Sequence, residues 1–360
     1  MKTQILPPSP KNIARAAHAI QQDNVVGMPT ETVYGLAGNA WSPTALSRIF
    51  NTKDRPKFDP LIIHIDKSSG TKGTQRLSEL SLIDSAQILP SMRDRIDLLI
   101  DQFWPGPLTL ILPKHPDVPD LATSGLSTVA LRMPQHPVAQ ALISAAGCPL
   151  AAPSANRFGR ISPTTPEAVL EELDGRILWI LDGGPCEIGV ESTIIGFNEE
   201  QDLCVFRPGG TPIESIEKVL QQNILIPSQK SILSPGMLES HYSPKKTLKL
   251  LPTSVLDLTT QNIEEIQSQL KHFQSPHAVG LLLMKGNSQF LSSHLSQAIH
   301  RPVIAETLSP SNQVEEAAHQ LFSQMRKLDS SDVAVIYSEP CVYLHGLGHA
   351  IRDRLKRASS

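Results

Sequence analysis

Residues 127–156 read STVALRMPQHPVAQALISAAGCPLAAPSAN, and this stretch sets the fold class. Thr128–Leu131 is a short β-like run, 137–146 is helical, and Leu150–Ala152 is β-like again. The alternation continues on both sides. Further β-like runs lie at Val25–Met28, Leu61–Ile65, Leu108–Leu112, Ile177–Leu181, Ser192–Phe197 and Cys204–Phe206. Helices are expected at 91–103, 165–173 and 212–222, and residues 68–90 read as a loop with a short helix. Ser9-Pro10 and Ser42-Pro43 each supply a cap and a first helical residue. Apolar faces follow both, Ile13, Ala16, Ala17 and Ile20 in one case and Ala45, Leu46, Ile49 and Phe50 in the other. The pattern predicts an α/β (α+β) domain, a sheet with helices packed on it.

Residues 223–246 are proline-rich without a convincing period and read as a linker. Beyond them strands at Leu248–Leu251, Val279–Met284 and Val333–Tyr337 alternate with helices at 261–272, 311–328 and 349–357. That alternation predicts βαβ units and a small parallel sheet. The expected organisation is therefore a domain over 1–222, a linker over 223–246 and a second domain over 247–360. A chain of 360 residues has room for two domains.

Composition narrows the function. Lys+Arg number 32 against 35 Asp+Glu, so there is no basic surplus and a general electrostatic grip on nucleic acid is not expected. Apolar runs such as Leu108–Leu112 and Val279–Met284 fall far short of the ~20 residues of a membrane helix. The N-terminal MKTQILPPSPK has no apolar signal core, and Cys148, Cys186, Cys204 and Cys341 form no C-x-x-C. A cytoplasmic protein with reduced thiols is expected. The 30 prolines, against 9 Phe, 4 Tyr and 3 Trp, point to fixed turns and strand ends.

Several common machines are missing. The chain has no G-x-x-x-x-G-K-[ST], no G-x-G-x-x-G after a strand, no H-E-x-x-H and no G-x-S-x-G. His345 and His349 stand four apart, but the glycines between them read better as a turn into the last helix.

What remains is a series of polar clusters at expected strand ends. Pro29-Thr30-Glu31-Thr32 presents hydroxyls and a carboxylate. Lys53 and Arg55 precede Pro56, which should keep the segment extended and point both cations one way, suiting a polyphosphate. His64 ends an apolar strand and reads as a core histidine. Thr128 and Arg132 share a strand face, and Arg132 is costly to bury without an anion, either a substrate carboxylate or a protein acid. Residues 151–164, AAPSANRFGRISPT, set small side chains around Ser154, Asn156 and Ser162, as a phosphate-cradling loop requires. Glu191-Ser192-Thr193 and Arg207-Pro208-Gly209-Gly210 complete the set. Four cation-bearing strand ends in a protein of net charge −3 suggest a shared anionic ligand.

In chain order the motifs are P-T-E-T-V-Y-G-L, K-x-R-P, P-L-I-x-H, W-P-G-P-L-T, L-R-x-P, P-S-A-N-x-x-G-x-x-S-P-T, E-S-T and R-P-G-G. Together they resemble the YrdC-like family. S-P-G-M-x-x-x-H-Y-S-P at 234–244 and G-L-G-x-A-I-x-x-R-L at 346–355 are similar to its two-domain members, the threonylcarbamoyl-adenylate synthases. The resemblance implies a twisted mixed sheet with a concave active-site face and a smaller Rossmann-like αβα C-terminal domain. It implies the reaction of L-threonine, bicarbonate and ATP to threonylcarbamoyl-AMP and pyrophosphate, with Mg2+ held mainly through the ATP phosphates. A separate transferase would then modify the adenosine beside the tRNA anticodon, and direct tRNA binding would be weak or indirect. Matched motif by motif, Lys53, Arg55, Ser154 and Asn156 form the signature around the nucleotide. Thr32, His64, Arg132, Ala152 and Ser192 match threonine-holding positions. Arg55, Asp59, Thr128, Ser154, Ser162, Arg207 and Tyr242 match ATP-contacting ones, with Tyr242 and the linker as a lid.

Asp59 departs from the family's usual asparagine, and an ionised carboxylate cannot donate to a phosphate. It would face the ribose, a cation or Arg55. Phe158 and Ile161 also replace smaller or prolyl residues. Two other readings stay open. One is an RNA-binding module without turnover. The other is a carbamoyl-adenylate transferase with another acceptor, whose relatives carry acylphosphatase and zinc-finger-like modules that this chain lacks.

Overall fold

Two helices of the first unit begin where serine and proline require. In Pro10–Gln21 the Ser9 side chain accepts from Asn12 N, and in Pro43–Lys53 that of Ser42 accepts from Ala45 N. The computed structural model describes residues 2–67, 72–198, 200–226, 241–273 and 278–360. They fall into two compact units, Met1–Phe158 with Ser162–Met237, and Gly159–Ile161 with Leu238–Ser360. Of the expected linker, residues 227–240 lie outside the described residues.

The first unit is built on β1 (Gln4–Leu6), β2 (Val26–Met28), β3 (Gly35–Asn39), β4 (Ile62–His64) and β5 (Leu108–Pro113). It continues with β6 (Thr128–Arg132), β7 (Leu150–Ala151), β8 (Trp179–Leu181), β9 (Thr193–Phe197) and β10 (Leu203–Arg207). The strand order is β1-β8-β2-β3-β7-β4-β6-β5-β9-β10, and the pairings are mixed. β4 runs parallel to β6 and β5 parallel to β9, whereas β5 and β6 are antiparallel.

Side chains alternate across each strand, so each face has its own cluster. Ile63, Leu131, Leu110 and Ile195 join helices Pro43–Lys53 and Pro90–Phe103 in the main core. Helices Pro10–Gln21 and Pro137–Ala146 meet through Ala16, Ala17, Ile20, Ala139, Leu142 and Ile143. Ile62, Ala130, Ile111, Ile194, Cys204 and Phe206 form a smaller cluster on the face away from that core. Gly196 is required there: a Cβ would stand 2.8 Å from Ile111 Cβ and 3.1 Å from the Phe206 ring.

The second unit holds β11 (Leu248–Leu250), β12 (Ala278–Lys285), β13 (Val303–Ser309) and β14 (Val333–Ser338), in the order β11-β14-β12-β13 with every pairing parallel. Helices Thr260–Leu270 and Ser288–Ile299 pack on Val279, Leu281, Leu283 and Val335. Helix Val314–Ser330 packs against β12, β13 and β14. No helix among the described residues is long and apolar enough to cross a membrane.

Candidate active site

The smaller sheet face carries a row of polar strand ends. His64 pairs with Arg132 in the β4–β6 register, and extending the Leu110–Leu131 register by one residue sets Thr109 beside Arg132. Thr128, Ala130 and Arg132 share this face by alternation, so Thr128 lies on it at the opposite end of β6.

Arg132 is the most constrained group of the row. Its Nη2 donates to Glu31 Oε1 at 2.6 Å, Nη1 to Thr32 Oγ1 at 2.9 Å and Nε to Gly106 O at 3.2 Å. Glu31 Oε2 accepts from Gln135 N at 3.1 Å. Thr30 Oγ1 lies 2.9 Å from Thr32 Oγ1 and donates to Val33 O, which shapes the Pro-Thr-Glu-Thr turn. The anion beside Arg132 is thus a protein acid, as one of the two sequence alternatives held. His64 is buried, with Nδ1 3.2 Å from Ile62 O. Burial, reinforced by the Arg132 charge, pushes its pKa down to about 3, so it works as a neutral imidazole. Ala152 joins this group through its N–H, which donates to Ile62 O.

The second group gathers around Lys53. Its buried ammonium donates to the carbonyls of Ser154 and Asn156, residues 101 and 103 positions along the chain. Ser154 bridges to Gly35, Ala155 N donates to Tyr34 O, and Phe158 N donates to Lys53 O at 2.8 Å. The small-residue loop is therefore tied both to Lys53 and to the turn that carries Thr32. Burial pushes the Lys53 ammonium well below its ordinary range and the neighbouring Arg55 acts the same way, while Asp59 and Glu172 oppose them.

The extended Lys53–Arg55 arrangement expected from Pro56 is not what the chain builds. Lys53 is the last residue of a helix whose buried face of Ala45, Leu46, Ile49 and Phe50 carries it to that point. Asp54 then turns left-handed at φ 54°, and Arg55 N closes on Phe50 O. The two cations take different partners. Arg55 donates to Asp59 O and Pro60 O and pairs with Asp59 Oδ2 at 2.8 Å. Arg55 is thus one partner that Asp59 meets.

A third group closes the row. Arg207 donates to Ser192 O and, from Nη2 at 3.1 Å, to Ser192 Oγ. Thr109 Oγ1 lies 2.7 Å from the same Ser192 oxygen, and Ser162 Oγ donates to Glu191 Oε1 at 2.5 Å. Glu31 and Glu191 stood in the polar clusters without an assigned role, and Thr109 was not singled out, although it stands inside the W-P-G-P-L-T motif. Tyr242 belongs to the second unit, with its ring 5.6 Å from Phe322 and 5.2 Å from the Arg354 guanidinium.

Comparison with known proteins decides the family. Residues 18–209 match the Sua5/YciO/YrdC model, described as telomere recombination, and 211–360 match the model described as the threonylcarbamoyl-AMP synthase C-terminal domain. The chain belongs to the threonylcarbamoyl-AMP synthase family.

Its relatives in the threonylcarbamoyl-AMP synthase family include the Pyrococcus abyssi protein, 38% identical over 349 residues that cover 96% of this chain and 93% of that one. The Bacillus subtilis protein is 36% identical over 354 residues, covering 96% and 92%. The crystal structure of P. abyssi Sua5 complexed with L-threonine superposes with a TM-score of 0.83 at 36% identity, covering 99% of this chain and 98% of that one. The mixed sheet and the parallel second sheet are thus the family's architecture.

Proposed function

We propose that the chain condenses L-threonine, bicarbonate and ATP into L-threonylcarbamoyl-AMP and pyrophosphate, as a nucleotidyltransferase supplying the threonylcarbamoyl group for adenosine beside tRNA anticodons. The observation that carries this reading is Arg132. Of its five N–H groups, three are engaged by Glu31, Thr32 and Gly106, and one hydrogen on each terminal nitrogen remains for a substrate carboxylate. A guanidinium fixed on three sides needs no rearrangement to receive an amino acid.

In this reading Thr32, His64, Arg132, Ala152 and Ser192 hold threonine. Neutral His64 adds no second cation, which suits an amine that must lose its proton before attack. The neutral amine attacks carbon dioxide with release of a proton to solvent, or bicarbonate with loss of water, and the resulting carbamate oxygen then attacks the α-phosphorus and expels pyrophosphate. The carbamate decomposes readily in water, so the residues must hold it against the phosphate; positioning of this kind is worth roughly 7–11 kcal/mol. Lys53, Arg55, Ser154 and Asn156 surround the nucleotide, and Asp59, Thr128, Ser162, Arg207 and Tyr242 contact it. No covalent enzyme intermediate is needed.

The donor set fits a phosphate-held Mg2+ rather than a protein cage. Glu31 is paired with Arg132, Asp59 with Arg55, and Glu191 accepts from Ser162. The ion would be carried in on the triphosphate and would neutralise charge on its oxygens. We place the catalytic part in residues 1–222, a lid in 223–246 and an accessory domain in 247–360. The protein acts in the cytoplasm and hands its product to a separate transferase, with little direct tRNA contact. The test is threonine-dependent pyrophosphate release from ATP in bicarbonate buffer, with serine as the comparison. Release that ignores threonine, or salt-dependent tRNA binding without ATP turnover, would refute the reading.

A further inference from the structure

Three side chains at the edge of the smaller sheet face hold one hydrogen more than they can share. Ser192 Oγ receives Arg207 Nη2 at 3.1 Å and stands 2.7 Å from Thr109 Oγ1. Thr109 and Ser192 are both fully buried, and neither hydroxyl makes a further hydrogen bond among the described residues. Arginine only donates, and each hydroxyl has one hydrogen and two lone pairs. If Ser192 donates to Thr109, the Thr109 hydrogen has no acceptor. If Thr109 donates to Ser192, both Ser192 lone pairs are filled and the Ser192 hydrogen has none. A buried donor without an acceptor is costly, so the trio is complete once a ligand supplies an oxygen.

We propose that Thr109 is a positioning residue of the threonine site: by donating to Ser192 alongside Arg207, it commits the Ser192 hydroxyl hydrogen to an acceptor oxygen of the amino-acid substrate. The substrate's carboxylate is the chemistry this arrangement selects. A ligand group that donates would meet a second donor there and be rejected. Thr109 itself touches no substrate and acts through Ser192. The inference rests on the reading of Ser192 as a threonine-holding residue.

The experiment compares steady-state pyrophosphate release by the wild type, Thr109→Val and Thr109→Ser in bicarbonate buffer, varying threonine and ATP in turn. Valine keeps the shape and removes the hydroxyl; serine restores it. Thr109→Val should raise KM for threonine about tenfold, the size of one hydrogen bond, with KM for ATP within about twofold. Thr109→Ser should return threonine KM close to the wild-type value. In a Ser192→Ala background, Thr109→Val should add no further loss, because the group it positions is gone. Should Thr109→Val not fold, as judged by thermal unfolding, Thr109→Ala replaces it in the same cycle. An unchanged threonine KM, an equal rise for both substrates, additive losses with Ser192→Ala or no rescue by serine would each overturn the proposal. A wild type without threonine-dependent turnover would instead bring down the functional reading, and this inference with it.

Discussion

Arg132 and Glu31 meet at 2.6 Å with both side chains only 4% exposed, so the site's central guanidinium is balanced by an acid 101 positions away in the chain. Removing one partner of such a pair strands the other as an uncompensated buried charge, at a typical cost of about 3–5 kcal/mol. Arg132→Met should therefore lower stability to urea markedly. Adding Glu31→Gln should recover part of the loss, because the stranded acid is then neutral. Equal urea midpoints for Arg132→Met and the double variant would show that Glu31 is not held by this charge.

Arg55 and Asp59 pose a different problem, since the acid lies in the proposed nucleotide site. Asparagine at 59 keeps an acceptor for Arg55, gains donors and removes a negative charge facing the triphosphate. At roughly 10 Å and an effective dielectric of about 20, one like charge is worth about 1–2 kcal/mol. Asp59→Asn should lower KM for ATP about five- to thirtyfold with threonine KM unchanged. Arg55→Ala should abolish most pyrophosphate release at saturating threonine. A KM for ATP that does not move in Asp59→Asn would place the carboxylate outside the phosphates' field.

Legibility in the sequence followed local signals. The Ser-Pro helix starts were readable because cap and first residue are adjacent, and the structure places Ser9 and Ser42 as caps. Strand β3, GLAGN, escaped because its two glycines and half-buried asparagine edge give no alternation. Strand β13 and helix Ser288–Ile299 escaped for a related reason: half-exposed, they carry a weak apolar signal. The site motifs could be listed but their wiring could not. Nothing local connects Glu31 to Arg132 or Lys53 to the Ser154 carbonyl, because those contacts exist only after strands far apart in the chain have paired. The proline rule misplaced Lys53 because it governs the residue before Pro56, not the helix that ends two residues earlier.

His64 gives a pH prediction of definite sign. Its folded-state pKa is pushed down to about 3, against 6.5 ordinarily, so between these values the unfolded chain binds a proton that the folded chain refuses. The stability from this group is fully present above pH 6.5 and is lost as the pH falls toward 3. The slope it adds is at most about 1.4 kcal/mol per pH unit. His64→Gln should flatten the acid limb of the stability curve in urea titrations. It should also leave no titration near pH 6.5 missing from the activity profile, since His64 is already neutral there. A His64 imidazole resonance titrating near 6.5 in the folded protein would contradict the buried, neutral assignment.

Tyr242 separates packing from function. Within its own unit the ring lies against Phe322 and under Arg354, and the backbone holds φ 68° in the left-handed region. Tyr242→Phe keeps the ring and should unfold within about 1 kcal/mol of the wild type, whereas Tyr242→Ala should lose about 3 kcal/mol or more of packing. If the residue also closes over the nucleotide, as proposed, the alanine variant should leak free threonylcarbamoyl-AMP and need more ATP at temperatures where it stays folded. The phenylalanine variant should leak little, because a lid of this kind works by covering rather than by donating. An alanine variant that is less stable yet binds ATP and retains its intermediate like the wild type would leave Tyr242 a packing residue of its unit and remove the lid.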